Sequence, residues 1–255
     1  MSFSVIIPSR NIDNLVACVK AVREHEPRVP VIVVDDGIEG WSDRIDVLRI
    51  GGIKPFVFAR NCNLGIMDAF GHRHGEQQHP DGNWVVWGTH DLANSCDGVI
   101  LLNDDALLTT PGGFTALAAV AADHPEYGVI AAACDNTGNP NQRPKGIGLR
   151  EDPRMVCFVC VYIPRRTIEK VGLLDERYVG YGMDDDDYCF SVRKAGLKVG
   201  IFDHCIVDHR SLTSSYRGNP RAPSDFRPNM KLFIDKWGTD NWNRPAKDAL
   251  RHWGF

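Results

Sequence analysis

The sequence of 255 residues predicts a single-domain α/β protein with a mostly parallel central sheet flanked by helices. Its N-terminal part follows a strand, helix, strand order: FSVII at 3–7, apolar residues at helical spacing from 15 to 22, and VPVIVV at 29–34. The second of these strands, like GVILL at 98–102, is apolar at every position. Strands of this kind are typical of parallel sheets buried on both faces by helices.

The other elements follow from the same patterns along the chain. Further strands are predicted at 47–50, 128–133, 155–163, 198–202 and 206–209, and helices at 66–70, 114–122, 165–171, 188–195 and 230–237. The polar segment 72–89, rich in His, Gly and Gln, predicts an inserted loop, and 135–150 a long loop of turn-forming residues. We assign residues 1–215 to the main α/β unit and residues 216–255 to a helical tail packed on the same domain.

Composition narrows the function classes. The net charge of -4 and the pI of about 6.1 argue against broad, charge-driven nucleic-acid binding. No apolar run approaches the roughly 18 residues of a membrane span, and the N-terminus has no signal-peptide pattern, so we expect a cytoplasmic protein. The eight cysteines lie mostly in apolar segments, which indicates reduced thiols. Cys157 and Cys160 form a CxxC, but a strand would place them on opposite faces, which argues against a metal or redox role.

Carboxylates follow two of the apolar strands. VIVVDDG ends in Asp35 and Asp36, and VILLNDD ends in Asp104 and Asp105. Ligands of open α/β sheets bind beyond the carboxyl ends of the strands. Carboxylates so close raise each other's pKa unless a cation compensates, and Mg²⁺ or Mn²⁺ prefers such oxygen ligands. The alternative is that Asp ends these strands only because it favours turns.

A third acidic cluster, YGMDDDDYCF at 181–190, places four carboxylates between apolar and aromatic residues. A solvated acidic run would have polar neighbours. Acids in a first helical turn also favour the helix macrodipole, so helix capping is the structural alternative. The run therefore has two explanations, one catalytic and one structural.

Several motifs in order resemble the family 2 glycosyltransferases, which have the Rossmann-like GT-A fold. The matching segments span about residues 3–215: SVIIPSRN, VIVVDDG, FARNCNLGIMDA, VILLNDDAL, MVCFVCVYIPRRTIEKVGLLDERY and MDDDDYCFSVRKAG. VILLNDDAL resembles the DxD motif of that family, with Asn103 in place of the first acid, and the last segment resembles its acidic catalytic motif. His209 falls where the family often has a metal-binding His.

The resemblance implies roles for particular residues. A nucleotide-diphospho-sugar donor would lie at the strand ends, with Asp36 at the base, Asp35 beside it and Asp104 at the ribose; the further nucleotide-binding residues would be Pro8, Arg10, Arg60 and Asn63. Asp105 and His209 would bind Mn²⁺ or Mg²⁺. Asp185 would be the general base that takes the proton of the acceptor hydroxyl, from the face opposite the leaving diphosphate, so the anomeric centre inverts.

Asp184 would bind acceptor hydroxyls, whereas Asp186 and Asp187 are interpreted mainly as helix-capping residues. The donor would be UDP-, GDP- or dTDP-linked, and the acceptor a glycan, a protein or a modified nucleobase. Trp41, Trp84 and Trp87 either stack on an acceptor sugar or simply pack, and packing is favoured.

Two other functions fit the same sequence less well. A nucleotidyltransferase shares a similar sheet and acidic metal site, but it normally has a Gly-rich, basic loop after the first strand, which SVIIPSRNIDN lacks. A non-catalytic sugar-binding relative would have lost the metal or base carboxylates, which are retained here.

Overall fold

The computed structural model describes residues 2–41, 45–71, 77–78, 84–85, 96–212 and 222–255. The strands are β1 Ser2–Ser9, β2 Val31–Asp35, β3 Leu48–Gly51, β4 Gln77–Gln78, β5 Trp84–Val85, β6 Cys96–Leu102, β7 Leu107–Leu108, β8 Tyr127–Cys134, β9 Leu149–Glu151, β10 Cys160–Pro164 and β11 Lys198–Asp208. The helices are α1 Ile12–His25, α2 Phe58–Ala69, α3 Gly113–Asp123, α4 Arg165–Val171, α5 Asp184–Lys194, α6 Ala222–Trp237 and α7 Ala246–Trp253.

Nine strands form one central sheet in the order β3-β2-β1-β6-β10-β8-β11-β7, and β9 also pairs with β11. The four neighbouring strands β3, β2, β1 and β6 are parallel to one another, as the apolar runs predict. β10 is antiparallel to both of its neighbours, while β8 and β11 are again parallel to each other. The predicted α/β fold with a helix-flanked central sheet is therefore confirmed.

Helices cover both faces of this sheet. In β1, Val5 and Ile7 point into a core beneath α1 and α3, and Ile6 points into a second core beneath α2, α4 and α5. The alternation of faces along a strand explains why the central residues of β1 (Val5–Ile7) and the first four residues of β2 (Val31–Val34) are all apolar.

Five predicted elements have clearly different bounds in the structure. The α2 helix begins at Phe58 rather than at 66, and α5 begins at Asp184 rather than at 188. The strands predicted at 198–202 and 206–209 form one strand, β11, with an irregular register between Phe202 and Ile206. The strand predicted over 155–163 is confined to β10, so Cys157 precedes it and the alternation argument for the CxxC does not apply.

The C-terminal helices pack on α5 through a third apolar cluster. Phe190 of α5 contacts Phe233 and Trp237 of α6 edge-on or tilted, with ring centroids 5.4 and 4.8 Å apart. The α7 helix, which the sequence patterns do not predict, adds Ala249 to this cluster. The predicted start of the tail at 216 and the segment 72–89 fall largely outside the described residues. Within the described ranges, no helix combines the length and apolarity required to cross a membrane.

Candidate active site

Three neighbouring parallel strands, β2, β1 and β6, end at one edge of the sheet, and each is followed by polar residues. The backbone N–H of Asp36 donates to the carbonyl of Ser9 (2.8 Å), and the Ser9 hydroxyl donates to Asp104 Oδ2 (2.7 Å). Pro8 pairs with Val34 one register step earlier. The predicted strand-end residues therefore lie together at this edge.

Asp35 is bound to its own strand end. Its Oδ1 accepts from the backbone N–H groups of Gly37 (2.8 Å) and Ile38 (2.6 Å), and its Oδ2 accepts from Arg49 Nε (2.7 Å). The Arg49 guanidinium in turn lies 4.3 Å from the ring centroid of Trp41. These contacts shape the turn after β2, and the predicted nucleotide contact of Asp35 stays a prediction.

Asp36 is buried yet lacks hydrogen bonds to its carboxylate. The side chain is 2% exposed, and neither oxygen accepts a hydrogen bond from the described residues. Lys54 Nζ lies 3.0 Å from Oδ1 as an ion pair, but it donates to the backbone carbonyl of Asp36. Buried carboxylates normally have hydrogen-bond partners, whereas the contact that compensates this carboxylate is the Lys54 ion pair.

Asp105 and His209 form a close pair across the sheet edge. Asp105 Oδ1 lies 3.1 Å from His209 Nε2, and His209 Nδ1 lies 2.7 Å from the carbonyl of Asn136. A carbonyl only accepts, so Nδ1 carries a proton and Nε2 faces Asp105. This orientation of a histidine by a backbone carbonyl is typical of metal ligands.

Charge at this edge moves two pKa values. Burial, followed by the neighbouring charge of Asp105, raises the pKa of Asp104 to about 6, although the Ser9 hydrogen bond opposes the shift. Burial alone would lower the pKa of His209, but hydrogen bonds to Asp105 and Cys134 and the Asp105 charge outweigh it and raise the pKa to about 10. A divalent ion that binds Nε2 must therefore replace a proton.

The geometry of the pair fits a divalent metal. Two ligand atoms about 2.1 Å from one octahedral ion and at right angles are about 3 Å apart, close to the 3.1 Å between Asp105 and His209. In the part of the chain that the structure describes, no three His, Cys, Asp or Glu side chains form a metal cage. Mg²⁺ typically takes one or two protein ligands and completes its shell with substrate phosphates and water, so two ligands are consistent with such a site.

Arg60 and Asn63 are involved in a contact between α2 and the loop after α4. Asn63 Nδ2 donates to the Leu174 carbonyl (2.9 Å), its Oδ1 accepts from the Leu174 N–H (3.0 Å), and Arg60 Nε donates to Glu176 (3.0 Å). Arg10 is exposed, with its guanidinium 5.9 Å from the Phe56 ring centroid. The nucleotide contacts predicted for these residues stay predictions.

The acidic run forms the first turn of α5. The helix begins after Met183, a non-glycine residue at φ 75°, and the preceding Gly180 and Gly182 also have positive φ values of 83° and 84°. Glycine adopts this conformation without steric cost. The sharp entry projects the start of α5 into a cavity of about 460 Å³, which lies within the range of about 300–1,000 Å³ for small-molecule sites.

Asp184, Asp185 and Asp186 line this cavity together with Asn103 and His209. Burial and then the Asp185 charge raise the pKa of Asp184 to about 7. Burial and then the Asp186 charge raise the pKa of Asp185 well above its usual range. The predicted base and His209 of the predicted metal pair therefore border one space.

Asp186 and Asp187 lie in the first turn of α5, where acids favour the helix macrodipole as predicted, but the N-cap position is Met183 and makes no side-chain cap hydrogen bond. Asp187 is 2% exposed and points away from the cavity into the C-terminal helices. Its Oδ1 accepts from Tyr178 Oη (2.9 Å) and Trp237 Nε1 (2.7 Å), and its Oδ2 accepts from Lys236 Nζ (2.8 Å). Its role is to bind α6.

Trp242 is a cavity residue that the sequence analysis missed. It is 46% exposed and lines the cavity beside Arg154, Tyr181 and Phe226. The available signal was a tryptophan within GTDNWNRP, a polar stretch of turn-forming residues where core packing is not expected.

The chain has the GT-A fold of glycosyltransferases. Solved structures with this fold align over most of the chain. GalNAc-T7, crystallised with UDP, GalNAc and Mn²⁺, matches 92% of the chain with a TM-score of 0.62 and 12% identity. The mannosyltransferase PcManGT from Pyrobaculum calidifontis, with GDP-Man and Mn²⁺, matches 98% of the chain with a TM-score of 0.61 and 14% identity. S. aureus TarS 1–349 with UDP-GlcNAc matches 98% of the chain with a TM-score of 0.59 and 12% identity.

These identities establish the fold alone. The chain spans 49% of the GalNAc-T7 chain and 69% of the PcManGT chain. No protein-family profile matches the sequence. The uncharacterized protein y4gI of Sinorhizobium fredii (strain NBRC 101917 / NGR234) is 25% identical over 95% of this chain, which covers 28% of that relative's length.

Proposed function

We propose that this protein is an inverting, metal-dependent family 2 glycosyltransferase that transfers a sugar from a nucleotide-diphospho-sugar to an acceptor hydroxyl. One observation carries the proposal: His209 of the Asp105–His209 pair borders the same cavity as the acidic start of α5. One ligand of a pair suited to a diphosphate-bound cation therefore borders the same space as two carboxylates suited to a hydroxyl, as transfer between two substrates requires.

Asp36 supports a donor with a ring N–H. Uracil, thymine and guanine each carry a ring N–H next to a carbonyl group, whereas the corresponding nitrogen of cytosine only accepts. The buried carboxylate of Asp36, which is paired with Lys54 but accepts no hydrogen bond from the described residues, would be an acceptor for such a donor. This chemistry favours UDP-, dTDP- or GDP-linked sugars.

Asp105 and His209 would hold Mn²⁺ or Mg²⁺ beside the diphosphate. When bound, the ion supplies positive charge that stabilises the departing phosphate. GalNAc-T7 and PcManGT were both crystallised with Mn²⁺, which supports a divalent ion here.

Asp185 would accept the proton of the acceptor hydroxyl during its attack on the anomeric carbon. A sugar hydroxyl is a weak nucleophile near neutral pH, and a general base with a raised pKa is well matched to that proton transfer. Asp184, one residue earlier on the same cavity wall, would orient the hydroxyl. Attack from this wall, with the diphosphate leaving on the metal side, gives inversion.

Calorimetry of nucleoside-diphosphate binding tests the proposal. Wild-type protein should bind UDP, GDP or dTDP at least about tenfold more tightly with Mn²⁺ than with EDTA. Asp105→Ala should remove this difference, because it deletes one of the two protein ligands. The matched control is Asp97→Ala, an exposed aspartate at the other end of the same strand.

Asp97→Ala should keep the full Mn²⁺ effect. Equal wild-type affinity in Mn²⁺ and EDTA would contradict metal dependence. Failure of all three nucleoside diphosphates to bind would contradict the function itself.

A further inference from the structure

The wall of the cavity contributed by the C-terminal segment carries an exposed tryptophan in a fixed orientation. Trp242 follows α6 in the turn 238–245, and its backbone N–H donates to Asp240 Oδ1 (2.9 Å). Asp240 is fully buried and also accepts from Arg244 Nη1 (2.6 Å) and Trp253 Nε1 (3.2 Å). One buried carboxylate therefore organises the whole turn.

Aromatic and guanidinium groups support the Trp242 ring. Its centroid lies 5.6 Å from that of Trp253, which is tilted by 40°. The guanidinium carbons of Arg154 and Arg244 lie 4.9 and 5.7 Å from it. The side chain nevertheless keeps 46% of its surface exposed and lines the cavity. A large apolar side chain held by so many contacts and still exposed is suited to binding a ligand.

The other cavity wall determines what kind of ligand fits. Asp184, Asp185 and Asp186 line the same cavity as this aromatic surface, and Arg154 is a basic group near them. A nucleic-acid acceptor would bring phosphates toward these carboxylates, where like charges repel. A neutral pyranose has an apolar C–H face for the electron-rich face of an indole ring and hydroxyls for carboxylate acceptors.

We propose that Trp242 is the stacking platform of a carbohydrate acceptor, whose pyranose ring lies on the indole while a hydroxyl reaches Asp184 and Asp185. This assignment rests on the proposed function and narrows its acceptor from glycan, protein or modified base to a glycan. The reaction it serves forms a glycosidic bond to that hydroxyl, whose proton passes to Asp185 as the bond to the nucleoside diphosphate breaks.

Saturation-transfer NMR on the full chain with Mn²⁺ and the nucleoside diphosphate that binds most tightly tests this assignment. The probes are the methyl α- and β-pyranosides of glucose, galactose, mannose and N-acetylglucosamine, a single-stranded oligo-dT and a Ser/Thr peptide. At least one glycoside should bind at millimolar concentration. Trp242→Ala should weaken it about tenfold or abolish it, and Trp242→Phe, which keeps an aromatic face, should recover most of the binding.

The matched control is Phe255→Ala. Phe255 is another exposed aromatic (41%) of the C-terminal segment, also lies beside a guanidinium, that of Arg227 at 5.0 Å, and does not line the cavity. It should leave glycoside binding unchanged. Thermal unfolding of each variant shows whether a loss of glycoside binding comes from misfolding. If Trp242→Ala is misfolded, glycoside binding by Trp242→Phe tests the assignment instead.

The assignment is overturned if glycoside binding survives Trp242→Ala, if no glycoside binds, or if only the oligonucleotide or the peptide binds. Nucleoside-diphosphate binding by the wild-type protein is measured in the same samples. Intact Mn²⁺-dependent nucleotide binding with any of these three results rejects the platform and leaves the glycosyltransferase function standing. Loss of nucleotide binding rejects that function.

Discussion

The four consecutive aspartates at the start of α5 have different surroundings. Asp184, Asp185 and Asp186 line the cavity, whereas Asp187 is buried against Tyr178, Lys236 and Trp237. A helix turns by about 100° per residue, so Asp185 and Asp187 point in nearly opposite directions. The first three aspartates of the run therefore line the cavity, and the fourth packs against α6.

Replacing Asp185 by Asn should remove transfer and preserve the fold. The side chain keeps its Oδ1, which accepts from the Asp186 N–H (2.8 Å), but loses its basicity. Loss of a general base typically lowers the rate by about 10²–10⁴-fold. The unfolding temperature should stay the same or rise, because a buried carboxylate beside Asp186 is replaced by a neutral group.

Turnover, nucleotide affinity and unfolding temperature are measured for Asn at 184, 185 and 186 separately. Asp186→Asn is the matched control and should lose much less activity. Near wild-type transfer by Asp185→Asn with a large loss in Asp184→Asn would mean that the base is one residue earlier.

The pH dependence of transfer should reflect the buried carboxylates. Burial raises the pKa of Asp184 to about 7 and that of Asp185 well above its usual range. The base acts only when deprotonated, so kcat/KM should fall as the pH is lowered through this raised pKa. The acidic limb should therefore lie well above the usual carboxyl value of about 4. A profile of kcat/KM that is flat down to about pH 5 would show that the base is not buried in this way.

The α6 helix holds both the start of α5 and the loop that precedes it. Asp187 binds Lys236 and Trp237 at the C-terminal end of α6. Asn229, in the middle of α6, places Nδ2 within 2.9–3.2 Å of the carbonyls of Val179, Tyr181 and Gly182. This helix therefore stabilises the wall from which the proposed base projects.

Replacing Asp187 by Asn should destabilise the protein by about 2–3 kcal/mol, since it leaves a largely buried Lys236 with a single carboxylate partner, Asp175. Denaturant unfolding of Asp187→Asn and of a control variant measures the change in the free energy of unfolding. The control, Asp235→Asn, breaks an ion pair with Lys231 whose side chains are about half exposed, and it should cost less than about 1 kcal/mol. Equal effects of the two substitutions would show that Asp187 does not anchor α6.

Over the whole molecule, the features visible in the sequence are those set by local patterns. The apolar runs that end in Asp35–Asp36 and Asp104–Asp105 predict buried parallel strands that end at one edge, and the structure places them there. The Asp105–His209 pair was predicted only through the family resemblance, because residues 104 positions apart share no local pattern.

Features that depend on contacts between distant residues were missed. The first turns of α2 contain Asn61, Asn63 and Gly65, which are weak helix formers, but tertiary packing overrides this: Gly65 fits against Ile6, where a Cβ would lie 2.3 Å from a methyl carbon. The turn that presents Trp242 likewise depends on Asp240 and Trp253, and no periodicity in the sequence reports their contact.

The contacts of Asn229 with three backbone carbonyls mean that the two sides of the site are held by different parts of the chain. The loop before α5, which borders the cavity, is held by α6. The environment of Asp36 is instead formed by β1, β2 and Lys54. Under the proposed function, substitutions in the C-terminal helices should therefore alter acceptor specificity and leave donor specificity unchanged. Under the same proposal, relatives that share the N-terminal strands are expected to differ first in their acceptor and only later in their sugar-nucleotide donor.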